Sequence, residues 1–88
     1  MTMSFIDGNA LAGPLGEVFA VDVTVATSEC ATCGQSDPVA ALHVYAKAPG
    51  MVARCPGCGS VVIRLVRTPT GAALDLRGCV VLQIPLPL

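Results

Sequence analysis

Apolar positions in the first part of the chain repeat at the spacing of a helix. One set recurs at i, i+4, i+7 and i+8, so that its members share one helical face: Leu11, Leu15, Val18 and Phe19. Asp7 precedes this set and can cap a helix start, and Pro14 suits a first helical turn. The pattern predicts a short N-terminal helical segment. Its apolar stripe either packs against the rest of the chain or binds a partner.

Later positions alternate between apolar and polar, which is typical of β-strands. Residues 21–27 form a predicted strand or extended linker that leads into the next segment. Four further strands are predicted, at 39–48, 60–67, 72–77 and 79–84. The stretch "TPTG" at 68–71 predicts a hairpin turn, and the "PLPL" tail cannot continue a strand ladder. The chain is therefore expected to be β-rich, with one helical segment at its start.

The composition indicates a small domain that needs an additional stabilising element. Hydrophobic residues make up 53% of the 88 residues and charged residues only 12%, against about 25% charged residues in typical soluble domains. A chain this short builds a limited core, so we expect one compact domain stabilised by a metal. The scarcity of charge also predicts exposed apolar surface, and with it a protein partner or a homo-oligomer.

Charge is unevenly distributed along the chain. Residues 1–38 carry five acidic residues and no Lys or Arg, whereas residues 39–88 carry five basic residues and one acidic residue. The net charge of −1 would fall to about −3 if four thiolates bound one divalent ion. Binding of nucleic acid through the overall charge of the chain is therefore not favoured, although a local basic face in the second half is possible.

Targeting signals are absent from the sequence pattern. The N-terminus has no basic region and carries Asp7 early, and no apolar run reaches the roughly 18 residues that a membrane-spanning helix needs. We therefore expect a cytoplasmic protein without a membrane segment. In that reducing location, paired cysteines are more often metal ligands than disulfides.

Four of the five cysteines form two C-x2-C motifs, each followed by glycine: "CATCG" at 30–34 and "CPGCG" at 55–59. A C-x2-C turn points two sulfurs at one point, and two facing turns supply a tetrahedron of thiolates. The glycines permit a positive φ just after the second ligand of each turn. The pattern predicts a metal site with four ligands: Cys30, Cys33, Cys55 and Cys58.

The ligand set also indicates which metal and which role. A tetrahedral S4 site suits zinc or a single iron ion, and the low aromatic content favours zinc, because iron sites of this kind usually lie beside packed aromatic rings. Catalytic zinc keeps an open position, whereas four cysteines close the shell. We therefore expect one structural Zn²⁺ ion and no enzymatic activity. A thioredoxin-like redox role fits poorly, because neither motif opens a helix in a βαβ unit.

Two residues outside the motifs have chemistry of their own. Cys79 lies in an apolar strand and is interpreted as a buried small hydrophobe. His43 alternates with Tyr45 and Lys47 on the polar face of a predicted strand. That face is either a solvated surface or, together with Arg54, Arg64 and Arg67, a small nucleic-acid contact.

The chain resembles a zinc ribbon over residues 28–84, because two C-x2-C-G motifs each feed β-hairpins. The fuller layout, "DGNALAGPLGEVFAVDVT", "CATCG", "YAKAPGMVARCPGCGSVVIRLVR" and "LDLRG", resembles a group of short, uncharacterised bacterial zinc-ribbon proteins known only as a domain of unknown function. The resemblance implies metal binding through the four cysteines and carries no activity. We expect an N-terminal helical segment and lead-in strand at 1–27 and a zinc ribbon at 28–88, within one compact α+β domain.

Taken together, the sequence predicts a non-enzymatic protein-interaction or adaptor module built around a structural zinc ion. The alternative is a nucleic-acid-binding or transcription-associated ribbon that uses the basic residues of the second half. A ribbon of this kind specifies fold better than function.

Overall fold

The structure, a computed structural model, describes residues 5–16, 19, 22–47 and 50–86. Its strands are β1 (Ile6–Asp7), β2 (Thr27–Cys30), β3 (Ser36–Pro38), β4 (His43–Lys47), β5 (Gly50–Arg54), β6 (Val61–Thr68), β7 (Gly71–Asp75) and β8 (Cys79–Gln83). Its helical elements are the α-helix α1 (Ala12–Gly16) and three 3₁₀ turns, Gly8–Leu11, Val23–Val25 and Val39–Ala41. The expectation of a small β-rich domain with a short helical segment is confirmed.

The strands form two antiparallel sheets. The larger sheet has the order β1-β4-β5-β6-β7, and the smaller sheet has the order β3-β2-β8. After β7 the chain leaves the larger sheet, and β8 pairs with the much earlier strand β2. As a result, β8 lies at one edge of the smaller sheet.

The N-terminal apolar stripe packs against the rest of this chain. The Asp7 carboxylate accepts a hydrogen bond from the Asn9 N–H at 3.0 Å and so caps the first 3₁₀ turn, as predicted. Leu11 and Leu15 are only 1% and 2% exposed, and burying a leucine contributes about 1.5–3 kcal/mol. Phe19 packs partly against the same core, while Val18 lies outside the described residues. The partner-binding interpretation of the stripe is therefore wrong for Leu11 and Leu15.

The predicted strand or linker at 21–27 is wrong in its middle. The Asp22 carboxylate accepts hydrogen bonds from the Thr24 N–H at 3.0 Å and from the Thr24 hydroxyl at 2.6 Å. These two bonds start a 3₁₀ turn at Val23–Val25. Both lower the pKa of Asp22, and the bond from the hydroxyl has the larger effect. Thr24 is itself buried. Local capping therefore overrides the β-branched pattern, and the strand starts only at Thr27.

The later strands follow the predictions closely. The strand predicted at 39–48 begins with a 3₁₀ turn and becomes β4 at His43, and the predicted strand at 60–67 is β6. The "TPTG" hairpin is confirmed, because Thr68 pairs with Gly71 across a two-residue turn. Strands β1, β3 and β5 were not predicted, since none of them has an alternating pattern of useful length.

One core takes side chains from both sheets and from the helical segment. It consists of the buried apolar residues of the described chain: Leu11, Leu15, Val23, Ala26, Cys30, Val39, Leu42, Val44, Ala53, Cys55, Val62, Ile63 and Leu65. Among the described residues, no helix is long and apolar enough to cross a bilayer. The first cysteine of each C-x2-C motif belongs to this core, which ties the cysteine cluster to the packing of both sheets.

Candidate metal centre

Each C-x2-C motif begins where a strand ends. Cys30 is the last residue of β2 in the smaller sheet, and Cys55 directly follows β5 in the larger sheet. Both of these sulfur-bearing residues are buried at 2% exposure, whereas Cys33 and Cys58 are exposed. The site therefore lies between the two sheets, with an inner and an outer cysteine from each turn.

The two turns have the same backbone hydrogen bonds. The Cys30 N–H donates to the Gln35 carbonyl at 2.9 Å, and the Gly34 N–H donates to the Cys30 carbonyl at 2.9 Å. In the second turn, the Cys55 N–H donates to the Ser60 carbonyl at 2.8 Å, and the Gly59 N–H donates to the Cys55 carbonyl at 2.9 Å. The repeated pattern holds both cysteine pairs in matching conformations.

A glycine with positive φ closes each turn. Gly34 has φ 78° and Gly59 has φ 80°, and no other described residue has a positive φ. An L-residue in the left-handed region costs roughly 1–2 kcal/mol. The predicted role of the two glycines is therefore confirmed by their backbone angles.

Replacing Gly59 by alanine is expected to lower the free energy of unfolding of the metal-loaded protein by about 1 kcal/mol, because the added Cβ meets open space and only the backbone conformation is penalised. Gly59→Asn should recover part of this loss, since asparagine tolerates the left-handed region. Urea denaturation measures all three proteins, with Gly71→Ala as the control at an exposed glycine without positive φ. Equal stability of Gly59→Ala and the parent protein would contradict the role assigned to the turn.

The four sulfurs lie close enough together to surround one ion. The Cys30 and Cys58 sulfurs are 3.7 Å apart, as are the Cys33 and Cys55 sulfurs, and all four lie within 4.8 Å of one another. An ion bound at about 2.3 Å to each thiolate needs sulfurs about 3.8 Å apart, whereas a disulfide needs about 2.05 Å. Four cysteines therefore lie close enough together to hold one metal ion.

The surroundings of the two outer sulfurs shift their pKa values in opposite directions. Hydrogen bonds from the Ser60 hydroxyl and the Ser60 N–H lower the pKa of Cys58 to about 6. The Gln35 N–H favours the Cys33 thiolate, but desolvation and the other three sulfurs outweigh it and raise the pKa of Cys33 to about 12. Four thiolates this close repel one another, so all of them ionise only with a cation between them.

Ser60 and Gln35 are contributors that the sequence interpretation missed. Both stand two residues after the second cysteine of a motif, where a backbone N–H can reach the sulfur. In addition, the Gly57 N–H lies 3.4 Å from the Cys55 sulfur. The spacing of the motif is the signal that would have identified these groups, because N–H groups two residues beyond a thiolate recur as its donors in such turns.

The other two candidates, Cys79 and His43, stay outside the cluster. The half-buried Cys79 thiol donates to the Val81 carbonyl at 3.1 Å, so it is less buried than predicted. The half-buried His43 ring stacks on Phe5 instead of approaching the sulfurs. Within the described ranges, no other group of three or more His, Cys, Asp or Glu side chains is placed to hold an ion.

Comparison with known protein families places the chain. The sequence model of a family of unknown function, DUF6510, matches residues 2–87. The chain belongs to the DUF6510 family. No match to this DUF6510 chain was found among the curated proteins or among the solved structures.

Membership in DUF6510 confirms the resemblance to a family of unknown function over nearly the whole chain. It assigns no activity to the four cysteines. The zinc-ribbon part of that resemblance stays a prediction, and the function of this DUF6510 chain has to be argued from its own surfaces.

Proposed function

We propose that this DUF6510 chain binds one Zn²⁺ ion through Cys30, Cys33, Cys55 and Cys58, and that the ion is structural. The sulfur spacing of 3.7 Å carries this proposal, because it fits a tetrahedral ion with zinc–sulfur bonds of about 2.3 Å. Zinc is favoured over iron because only 3% of the residues are aromatic, whereas iron sites with this ligand set usually lie beside packed aromatic rings.

A structural role follows from the closed ligand shell. Four thiolates leave no position for a water or a substrate, which a catalytic zinc requires. The inner ligands, Cys30 and Cys55, belong to the core and join the smaller sheet to the larger one. The ion thus stabilises the fold, and we propose a non-enzymatic protein whose function lies on its surfaces.

The surface that best supports a protein-interaction role is the edge strand β8. Val80 is 62% exposed and Val81 is 41% exposed, and no charged residue occurs from Gly78 to Leu86. Natural proteins usually block an exposed edge with charged side chains, and an unblocked edge accepts another strand. A bulge at Val80 interrupts the pairing of β8 with β2 but leaves the outer edge of Val81 and its neighbours uncharged.

We propose that the partner is a second copy of this chain, paired through β8 about a two-fold axis. An antiparallel strand can pair with itself in this way, and a two-fold contact needs only one self-complementary surface. Two uncharged edges meet without repulsion or desolvation of ions. Such pairing would join the two smaller sheets into one continuous sheet and present the remaining surfaces of both chains on one dimer.

Native mass spectrometry at about ten micromolar protein tests the ion and the partner together. We expect a dimer that carries one zinc ion per chain. Val81→Lys should give a zinc-loaded monomer, because a lysine blocks an exposed edge. Ala73→Lys, which adds the same charge at an exposed position of β7, should remain a dimer. A monomer with zinc would contradict the dimer alone, and iron or no metal would contradict the zinc site alone.

A further inference from the structure

The outer face of the larger sheet, meaning the face turned away from the core, carries a patch of rings. Phe5 stacks on His43 with 3.8 Å between ring centroids and 19° between planes, and Tyr45 lies 6.0 Å from Phe5. The chain has two phenylalanines, one tyrosine, no tryptophan and one histidine. Two of its three aromatic residues and its single histidine are therefore on this face, although a small core would gain most from large rings.

Strand register places two arginines beside the rings. Arg54 pairs with His43, and Arg64 reaches the same face because it pairs with Val52, which pairs with Tyr45. Neighbouring strands are about 4.8 Å apart, so the backbone of Arg64 lies about 10 Å from that of Tyr45. The Arg54 guanidinium carbon lies 5.9 Å from the Tyr45 ring centroid. The rings and the two guanidinium groups thus lie on one face of the sheet, with Val52 between Tyr45 and Arg64.

Arg67 does not belong to this surface. It pairs with Ala72 on β7. Because it stands two residues after the buried Leu65, its side chain lies on the same face of the sheet as Leu65. The grouping of Arg67 with Arg54 and Arg64, expected from the sequence, is therefore wrong. The side chain of Lys47, the other basic residue of that grouping, lies outside the described part of the chain.

The outer face is positive although the chain as a whole has a net charge of −1. Its acidic residue on β7, Asp75, lies opposite Arg64 and binds Arg77 at 2.6 Å, and the two arginines, Arg77 more than Arg64, lower the pKa of Asp75 to about 2. Asp7, opposite His43, accepts a hydrogen bond from the Asn9 N–H and keeps its negative charge on this face. Arg54, Arg64 and Arg77 outnumber Asp7 and Asp75 by one, so this face has a small net charge opposite to that of a phosphate backbone.

The second C-x2-C turn holds one of these arginines in place. The Arg54 guanidinium donates to the Gly59 carbonyl at 2.8 Å, immediately after the fourth cysteine. The same side chain is near the Tyr45 ring. An ion bound by the cysteines would therefore fix Arg54 beside the rings, which connects the structural site to the outer face.

We propose that the outer face binds a short stretch of single-stranded nucleic acid, with bases stacked on Phe5, His43 and Tyr45 and phosphates contacted by Arg54 and Arg64. This goes beyond the structural zinc site and the β8 dimer, which involve other surfaces. Stacking requires exposed base faces, which a duplex hides, and the flat rings would be unused by an acidic peptide. The patch spans about three strands, which fits two or three nucleotides.

Fluorescence anisotropy with the zinc-loaded full chain tests the proposal. The probe is a labelled 12-nucleotide oligo-deoxythymidine, measured from 20 to 200 mM salt. We expect binding whose log K falls with log salt at a slope of about −1.4, from two phosphate contacts at about −0.7 each. Arg64→Ala should weaken binding and reduce the slope to about −0.7. Phe5→Ala should weaken binding at least about fivefold through lost stacking.

The matched control is Arg67→Ala, which removes the same charge from the opposite face and should bind like the parent protein. Zinc content and circular dichroism confirm that each variant is folded. No binding at 20 mM salt would overturn the proposal, and so would equal losses in Arg64→Ala and Arg67→Ala. Tighter binding of a duplex of the same length, or equal competition by polyglutamate, would also overturn it, since neither depends on stacking.

Discussion

Replacing Cys55 by serine is expected to abolish metal binding and to unfold the protein. Cys55 is 2% exposed, and its sulfur lies 3.7 Å from that of Cys33 in the four-sulfur cluster. The apparent free energy of binding structural zinc is about 10–16 kcal/mol in small domains, and the total stability of a domain is about 5–15 kcal/mol. A chain of 88 residues has little stability left once that contribution is lost. Metal analysis and far-UV circular dichroism measure the result.

Cys79→Ser is the matched control for this experiment. Cys79 lies outside the cluster, and its thiol donates to the Val81 carbonyl. A serine hydroxyl can donate to the same carbonyl, so this variant should keep its ion and have a melting temperature within a few degrees of that of the parent protein. A folded Cys55→Ser protein that retains one ion per chain would contradict the structural role of the site.

The substitution Gly8→Ala is expected to lower the free energy of unfolding by about 3 kcal/mol, at the upper end for overpacked sites. A Cβ at Gly8 would overlap the Val39 carbonyl group. That carbonyl cannot move away easily, because it accepts a hydrogen bond from the Leu42 N–H at 3.1 Å while the Val39 N–H donates to Ala26 at 2.8 Å. Relief would require the first 3₁₀ turn to separate from the third. Urea denaturation measures the loss.

Gly13→Ala provides the control with the opposite sign. Gly13 is exposed, lies in α1, and would place its Cβ in open space. Alanine favours a helix over glycine by about 0.5–1 kcal/mol, so this variant should be slightly more stable than the parent protein. Similar losses in both variants would show that the contact of Gly8 with Val39 is not what limits the substitution.

Features that depend on local chemistry were predictable from the sequence. The spacing of the two C-x2-C motifs was enough to predict that four sulfurs meet, because each turn orients its own pair. The Asp7 cap and the Thr68–Gly71 hairpin follow from side chains and turn residues within a few positions of one another. The cap, the hairpin and the conformation of each single C-x2-C turn are decided by interactions that span only a few residues.

Features that depend on distant partners were not predictable. The pairing of β8 with β2 brings Cys79 opposite Cys30, although strands β3 to β7 lie between them in the sequence. No pattern within β8 identifies that partner. The 3₁₀ turn at Val23–Val25 replaces a strand because Asp22 bonds Thr24 and the turn is buried by tertiary packing. The placement of Arg64 and Arg67 on opposite faces was predictable, since strand alternation alone puts residues three apart on opposite faces.

The position of the cysteines at the ends of β2 and β5 has a topological consequence. An ion joining Cys30 to Cys58 would close the intervening chain into a ring that contains β3, β4 and β5, with the helical segment and strands β6 to β8 as two arms. If the ion stays bound in the denatured chain, closing a ring of this length raises the free energy of the denatured ensemble by roughly 4 kcal/mol.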